Sequence, residues 1–274
     1  MRLISNIFLF TATSLNGMAM FIMKAVRAFN SFAVVMMRPK EMVDYVKRVY
    51  DDENSIHFQA HTEGEFVKQG LMRWEETVID KYIDKKDSFL VLGAGGGREA
   101  IALAKRGFKI VGIDSSELMV KAAKENAASE GVKVDFQTAD LYGLPFPEKS
   151  FTYCLLSCGM YSAIPTRGNR IALLSKLKNI LKDNGILIIH FLFNPARKER
   201  LVKTKKFVAR VFKGNLDYKP GDELIPPMHF LRHFKDKEEI ASEAQEGGFS
   251  IKELSIEPYN EGYAVLEKTI DLEG

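Results

Sequence analysis

The sequence predicts an α/β fold: a mostly parallel sheet with helices on both faces, a C-terminal antiparallel hairpin and an N-terminal helical extension. Three observations predict it. Short apolar runs alternate with helical patterns from about residue 65 onward. Four glycines fall within five residues directly after the first of those runs, in "VLGAGGGREAIAL", residues 91–103. The last two apolar runs are separated by only about four residues, too few for the crossover of a dozen or more that parallel neighbours need. Strand and helix patterns in alternation build βαβ units whose strands lie parallel.

Each element carries its own signal. After Pro39, Met42, Tyr45, Val46 and Val49 recur at helical spacing over 40–51, and the polar stretch "DDENSIHFQAHTEGE" separates this helix from another over 69–83. Strands are expected at 89–92, 109–113, 133–138, 151–156 and 186–191, with helices over 98–106, 116–129 and 169–181. Gly185, closing "KDNG", is the expected break after the last of these helices. Then follow an irregular basic segment over 194–223, a helix over 235–245 with a "GGF" stop, and strands at 250–257 and 262–268. A chain of 274 residues with this pattern divides into an extension over 1–64 and one α/β domain over 65–274, interrupted by a basic insertion at 194–223.

Composition narrows the function classes. A 46% hydrophobic, 27% charged chain with a net charge of +3 is globular, and its charge does not imply a nucleic-acid partner. Cys154 and Cys158 stand four apart in a strand-like run, where alternation points both to one buried face. With two cysteines and no His/Cys cluster at ligand spacing, neither a disulfide framework nor a metal site is expected, and a reducing cytoplasm fits. The N-terminus is apolar: residues 3–23 carry no charge, and 28–37 form a second apolar block. Three placements follow: a bilayer span, helices lying on a membrane or covering an apolar substrate, or helices packed on the domain.

The glycine loop marks a ligand without naming it. Glycines between a first strand and a helix let backbone approach a ligand, and the helix N-terminus offers unpaired N–H groups to an anion. The dinucleotide fingerprint fits as Gly95-x-Gly97-x-x-Ala100, and the S-adenosylmethionine pattern fits equally as Gly93-x-Gly95-x-Gly97. Asp114, after the second strand, suits the ribose hydroxyls of either cofactor. The third strand discriminates: "VDFQTADLYGLPF" sets Asp140 just past its end, where a carboxylate can accept from an adenine amino group.

With "GIDSSELMVKAAKENA", "FTYCLLSCGMYSAI" and the closing hairpin, this arrangement over residues 65–268 resembles the class I S-adenosylmethionine-dependent methyltransferases. The resemblance implies a Rossmann-like seven-stranded sheet and S-adenosyl-L-methionine as cofactor. It also implies Gly93, Ala94, Gly95 and Gly97 along the methionine moiety, and Asp114 on the ribose diol. Ser115 and Leu118 would border the adenosine, Asp140 and Leu141 the adenine, and Ser157, Cys158 and Gly159 would present backbone near the methionyl end. A nicotinamide-dependent oxidoreductase is the rival within the fold, but no Tyr-x-x-x-Lys pair follows the loop. A binding protein that keeps the cofactor without turnover is the rival from another class. No Asn/Asp-Pro-Pro-Tyr run ends the fourth strand, which argues against adenine-base and glutamine methylation.

A sulfonium is an activated donor, so alignment and water exclusion carry most of the chemistry. For a hydroxyl acceptor, the general-base candidates by position are Tyr161, His190, His229 and His233. Residues 197–213 hold eight Lys/Arg against Glu199 alone. A basic segment beside an apolar one favours a small or lipid-like acceptor with peripheral membrane contact over nucleic acid, since no aromatic residues interleave for base stacking.

Overall fold

The computed structural model describes residues 2–84, 87–196, 201–225 and 229–269. The central strand β1 (Ser88–Leu92) buries both its faces. Phe89 and Val91 point to one core, and Leu90 and Leu92 to the other. Such a continuous apolar run is what a parallel strand covered by helices on both sides requires. Parallel pairing extends from β1 through β2 (Lys109–Asp114) to β3 (Asp135–Thr138), and from β1 through β4 (Phe151–Leu156) to β5 (Leu181–Phe193).

The expected hairpin closes the sheet. β8 (Phe249–Glu257) and β9 (Glu261–Lys268) pair antiparallel, and β9 lies antiparallel on β5 from Ile186↔Glu267 to Leu192↔Glu261. Helices α5 (Arg73–Tyr82), α6 (Arg98–Lys105) and α7 (Glu117–Ser129) cover the Phe89 face. Helices α8 (Met160–Ala163), α9 (Arg167–Ile180) and α11 (Lys237–Glu246) cover the Leu90 face.

Three expectations are corrected. The basic segment is not irregular: it holds α10 (Val202–Val211) and leads into β6 (Asp222–Ile225), which pairs with β7 (His229–Phe234). β7 joins β5 at Leu192 and Phe193, beyond the end of β4, so two strands extend the seven-stranded core. Residues 197–200 of that segment lie outside the described residues. The polar stretch after residue 51 is not a plain linker, because it folds into α3 (Ile56–Thr62) and α4 (Gly64–Lys68). The two apolar N-terminal blocks form one continuous helix, α1 (Arg2–Met36), followed by α2 (Pro39–Tyr50).

Gly97, which caps α6, has φ +94°, a conformation that L-residues with a side chain adopt at a cost. A Cβ there would also sit 3.0 Å from Phe136 Cζ and 3.1 Å from Ile101 Cδ1. We therefore expect Gly97→Ala to lower unfolding stability by about 1–3 kcal/mol. The check is a urea titration, where an unshifted midpoint would contradict the packing argument.

Candidate active site

The loop after β1 turns through three left-handed glycines, Gly93, Gly95 and Gly97. It forms one wall of a cavity of about 270 Å³ at the C-terminal edge of the sheet. Of the sequence-predicted residues, Gly93, Ala94, Gly95, Asp114, Ser115, Asp140, Leu141 and Cys158 line it together. A Cβ at Gly96 would meet the His61 carbonyl at 2.2 Å, so bare backbone is required there, and Gly93 is set by its left-handed φ of +63°.

Asp114 ends β2 and ties the loop to the sheet. Its carboxylate accepts from the Gly95 N–H at 2.9 Å and the Ser116 N–H at 3.0 Å. The cap of α7 is Ser116, whose Oγ accepts from Met119 N. Burial raises the Asp114 carboxyl above its ordinary range, while the two N–H donors pull the other way. Asp140 accepts from Tyr142 N at 2.8 Å, which sets the turn after β3.

Four predicted cofactor residues do not line the cavity. Gly97 faces Phe136 beneath the loop, Leu118 yields its place to Met119, Ser157 turns its hydroxyl to Glu75, and Gly159 donates its N–H to His190 Nδ1 at 2.8 Å. Cys158 is corrected in the other direction. Left-handed backbone at Cys158 and Gly159 breaks the strand alternation, so Cys154 is buried while Cys158 is exposed in the cavity wall.

The proposed bases are held elsewhere. Tyr161 is fully buried, donates to Glu243 at 2.6 Å, and its phenol is pushed further up by burial and that carboxylate. His190 is buried, accepts the Gly159 N–H on Nδ1, and faces Glu261 with Nε2 at 3.5 Å. His233 Nε2 lies 2.9 Å from Glu223. His229 begins β7 opposite Ile225, and its side chain lies outside the described residues. Neither Tyr161, His190 nor His233 reaches the cavity.

The site also contains residues that periodicity did not mark. Tyr50, His61 and Phe66 come from α2, α3 and α4, and Arg98 and Glu99 open α6. Arg98 is 1% exposed. It donates to both Glu75 oxygens at 2.8 Å, to Glu99 at 2.5 Å, to the Gly70 carbonyl at 2.6 Å and to Cys158 Sγ at 3.3 Å. Phe66 stacks on its guanidinium, and His61 meets Phe66 edge-on. Burial pushes the Glu99 carboxyl up while Arg98 opposes it. The Cys158 thiol is likewise raised, by its setting against the buried cluster and by Glu99. A signal for this cluster was present in "GREA", where Arg and Glu open a helix that the periodicity requires to be buried.

Residues 89–185 match the methyltransferase-domain family. That segment, which runs from β1 into β5 and carries the glycine loop, Asp114 and Asp140, is similar to methyltransferase domains. The chain is 31% identical over 127 residues to a carboxy-S-adenosyl-L-methionine synthase of a Nitratiruptor species, covering 45% of this chain and 51% of that one. It is 32% identical over 103 residues to a demethylmenaquinone methyltransferase of Clavibacter sepedonicus, covering 38% and 40%. The chain thus spans about half the length of the curated relatives it matches. In fold it is similar to the 1,6-didemethyltoxoflavin-N1-methyltransferase of Burkholderia thailandensis, with a TM-score of 0.60 at 16% identity over 85% of this chain and 91% of that one.

Removing one partner of a buried ion pair leaves an uncompensated charge. Arg98→Met is expected to destabilise the protein by about 3–5 kcal/mol at neutral pH. The deficit should shrink as pH falls, because Glu99, already raised by burial, holds its proton more readily once the cation is gone. Chemical denaturation at several pH values tests this; a pH-independent deficit would rule out the charge explanation.

Proposed function

We propose that the protein transfers the methyl group of S-adenosylmethionine to a small, lipid-like acceptor bound in the same cavity, in a cytoplasmic or membrane-surface setting. The observation that carries the reading is the meeting of a left-handed glycine loop with acids at the ends of two adjacent strands, Asp114 and Asp140, in one cavity. In this reading Gly93, Ala94 and Gly95 hold the methionyl backbone, Asp114 and Ser115 the ribose, and Asp140 and Leu141 the adenine. Gly97 supports the loop from below, and the extension over 1–64 supplies part of the wall above.

The cofactor supplies a methyl group already activated on sulfur, and the chain's own residues have to bind, orient and keep water out. The buried cluster of one guanidinium and two carboxylates carries a net negative charge when both acids are ionised, which suits a cationic ligand. Support for an apolar acceptor comes from the remaining wall: Val43 and Val46 of α2 face the cavity with Met160, Ala163, Ile164 and Pro165. Both named relatives bear the names of small-molecule enzymes. Among the histidines whose side chains are described, His61 alone lines the cavity, and it takes the place of Tyr161, His190 and His233 as general base for a hydroxyl acceptor.

Asp114→Ala should weaken S-adenosylmethionine binding by about 1–3 kcal/mol, the loss expected for hydrogen bonds to a charged acceptor. Calorimetry measures it, with NAD as the competing ligand; a protein that binds only NAD would refute the assignment. Transfer of labelled methyl into a lipid extract tests turnover, and tight cofactor binding without any transfer would make this a binding protein. In that assay His61→Gln is expected to lower kcat by about 100-fold or more at little-changed cofactor affinity. An unaltered kcat would reduce His61 to a wall residue.

A further inference from the structure

Outside the cavity, the least expected surface is the outer face of α10 together with the free length of α1. Along α10, Lys205 and Ala209 point inward, each no more than 2% exposed. Phe207 and Val211, four residues apart and so on one helix face, point outward at 64% and 58% exposure. Phe212 and Leu216 continue this apolar strip at 58% and 67%. Lys203, Lys206, Arg210 and Lys213 flank it, all exposed, and among the described residues none of the four forms an ion pair. No Asp or Glu stands between Leu201 and Lys213.

The same corner anchors α1. Val34 and Val35 are fully buried against α10 and β6, in a cluster with Met42, Tyr218 and Phe230. Asn215 N donates to the Val35 carbonyl at 2.9 Å, and Gly214 passes so close that a Cβ would lie 2.2 Å from that oxygen. Ahead of this staple the helix leaves the domain bare: Phe21 is 72% and Phe29 77% exposed, with Met18, Ile22 and Val26 above half. Within residues 15–36 an 18-residue window reaches a mean hydropathy of 1.4, and little of it is buried. At 1.5 Å per residue the charge-free part of α1, residues 3–23, runs about 30 Å, the thickness of a bilayer's hydrocarbon layer, and Lys24 and Arg27 follow it on the side of the domain.

We infer that this corner seats on an anionic phospholipid bilayer, with α1 entering the acyl layer and α10 lying in the interface. Phe207 and Val211 reach the acyl boundary, while Lys203, Lys206, Arg210 and Lys213 meet lipid phosphates. The chemistry favours lipid over a second copy of the chain, because two such surfaces would bring their unpaired cations together, whereas anionic headgroups neutralise them. The position of α2 gives the contact a use. It follows α1 directly and lends Val43 and Val46 to the cavity wall, so a chain seated this way holds its cavity beside the membrane. The inference does not depend on the methyl acceptor and is read out without turnover.

The test is co-sedimentation of the full chain with vesicles of pure phosphatidylcholine or of phosphatidylcholine with about one-third phosphatidylglycerol. Binding at least ~10-fold tighter to the anionic vesicles, weakened by added salt, is expected. The triple variant Lys203→Glu, Lys206→Glu, Arg210→Glu should lose that preference, and Phe207→Ser with Val211→Ser should weaken binding to both vesicles. Each variant is accepted only with a thermal melt matching the parent's; the surface positions leave the core untouched, and single substitutions replace any set that fails. Equal partition between the two vesicles, or folded variants that bind like the parent, would overturn the inference. So would a stable dimer in vesicle-free buffer that Phe207→Ser dissolves.

Discussion

The Arg98 guanidinium joins three elements beside the cavity. Glu75 belongs to α5, Arg98 and Glu99 to α6, and Cys158 to the turn after β4. A buried ion pair adds little net stability against an apolar substitute of equal volume, because desolvation offsets most of the attraction. Its effect is geometric: with every acceptor fixed, the helix that follows the glycine loop has one position relative to β4. Ser157, hydrogen-bonded to Glu75, and His190, which accepts the Gly159 N–H, hold the neighbouring turn from its other side. His190 in turn stacks on Trp74 of α5, which brings the contact network back to the helix that carries Glu75.

A second constraint shapes the upper wall. β5 runs 13 residues and outlasts β4, leaving Leu192 and Phe193 to pair with β7. That pairing brings in the β6–β7 hairpin, on which α10, the end of α1 and Met42 of α2 gather as a core of their own. The wall facing the glycine loop therefore comes from α2, α3 and α4, chain that precedes the parallel sheet, with α10 and the β6–β7 hairpin packed behind it. Its composition can change without disturbing the loop, which is how one fold serves many acceptors.

Where the sequence was legible, a single local period governed the element. The alternation through β1 to β5 and the short link in the closing hairpin each admit few structures, and both are found. α10 was hidden because its inward face is Val202, Lys205 and Ala209: a lysine there buries its stem and ends at the Tyr218 hydroxyl, so the stripe does not look apolar. α3 and α4 were hidden because each is too short to show a period. The histidine and tyrosine candidates failed for a shared reason: Tyr161, His190 and His233 lie near the right sheet edge, but Glu243, Glu261 and Glu223 engage them in long-range contacts that no spacing rule reveals. The shared face expected for Cys154 and Cys158 failed because β4 ends at Leu156, so Cys158, itself left-handed, lies past the reach of the strand alternation.

Charge links the clamp to the proposed reaction. Burial raises both Asp114 and Glu99, outweighing the N–H donors that face the first and the Arg98 guanidinium that faces the second. Ribose hydroxyls would offset that cost at Asp114 by hydrogen bonding, and a cationic ligand would offset it at Glu99 by attraction. Glu99 and Arg98 would lose the second of these compensations once a bound sulfonium had given up its methyl group and its charge. The residues on the cavity floor would then favour the reactant over the spent cofactor without any moving part. The apolar wall contributed by α2 has no such dependence and would hold acceptor and product by area alone. Exchange of cofactor would thus be set by Arg98 and its carboxylates, and choice of acceptor by the N-terminal helices.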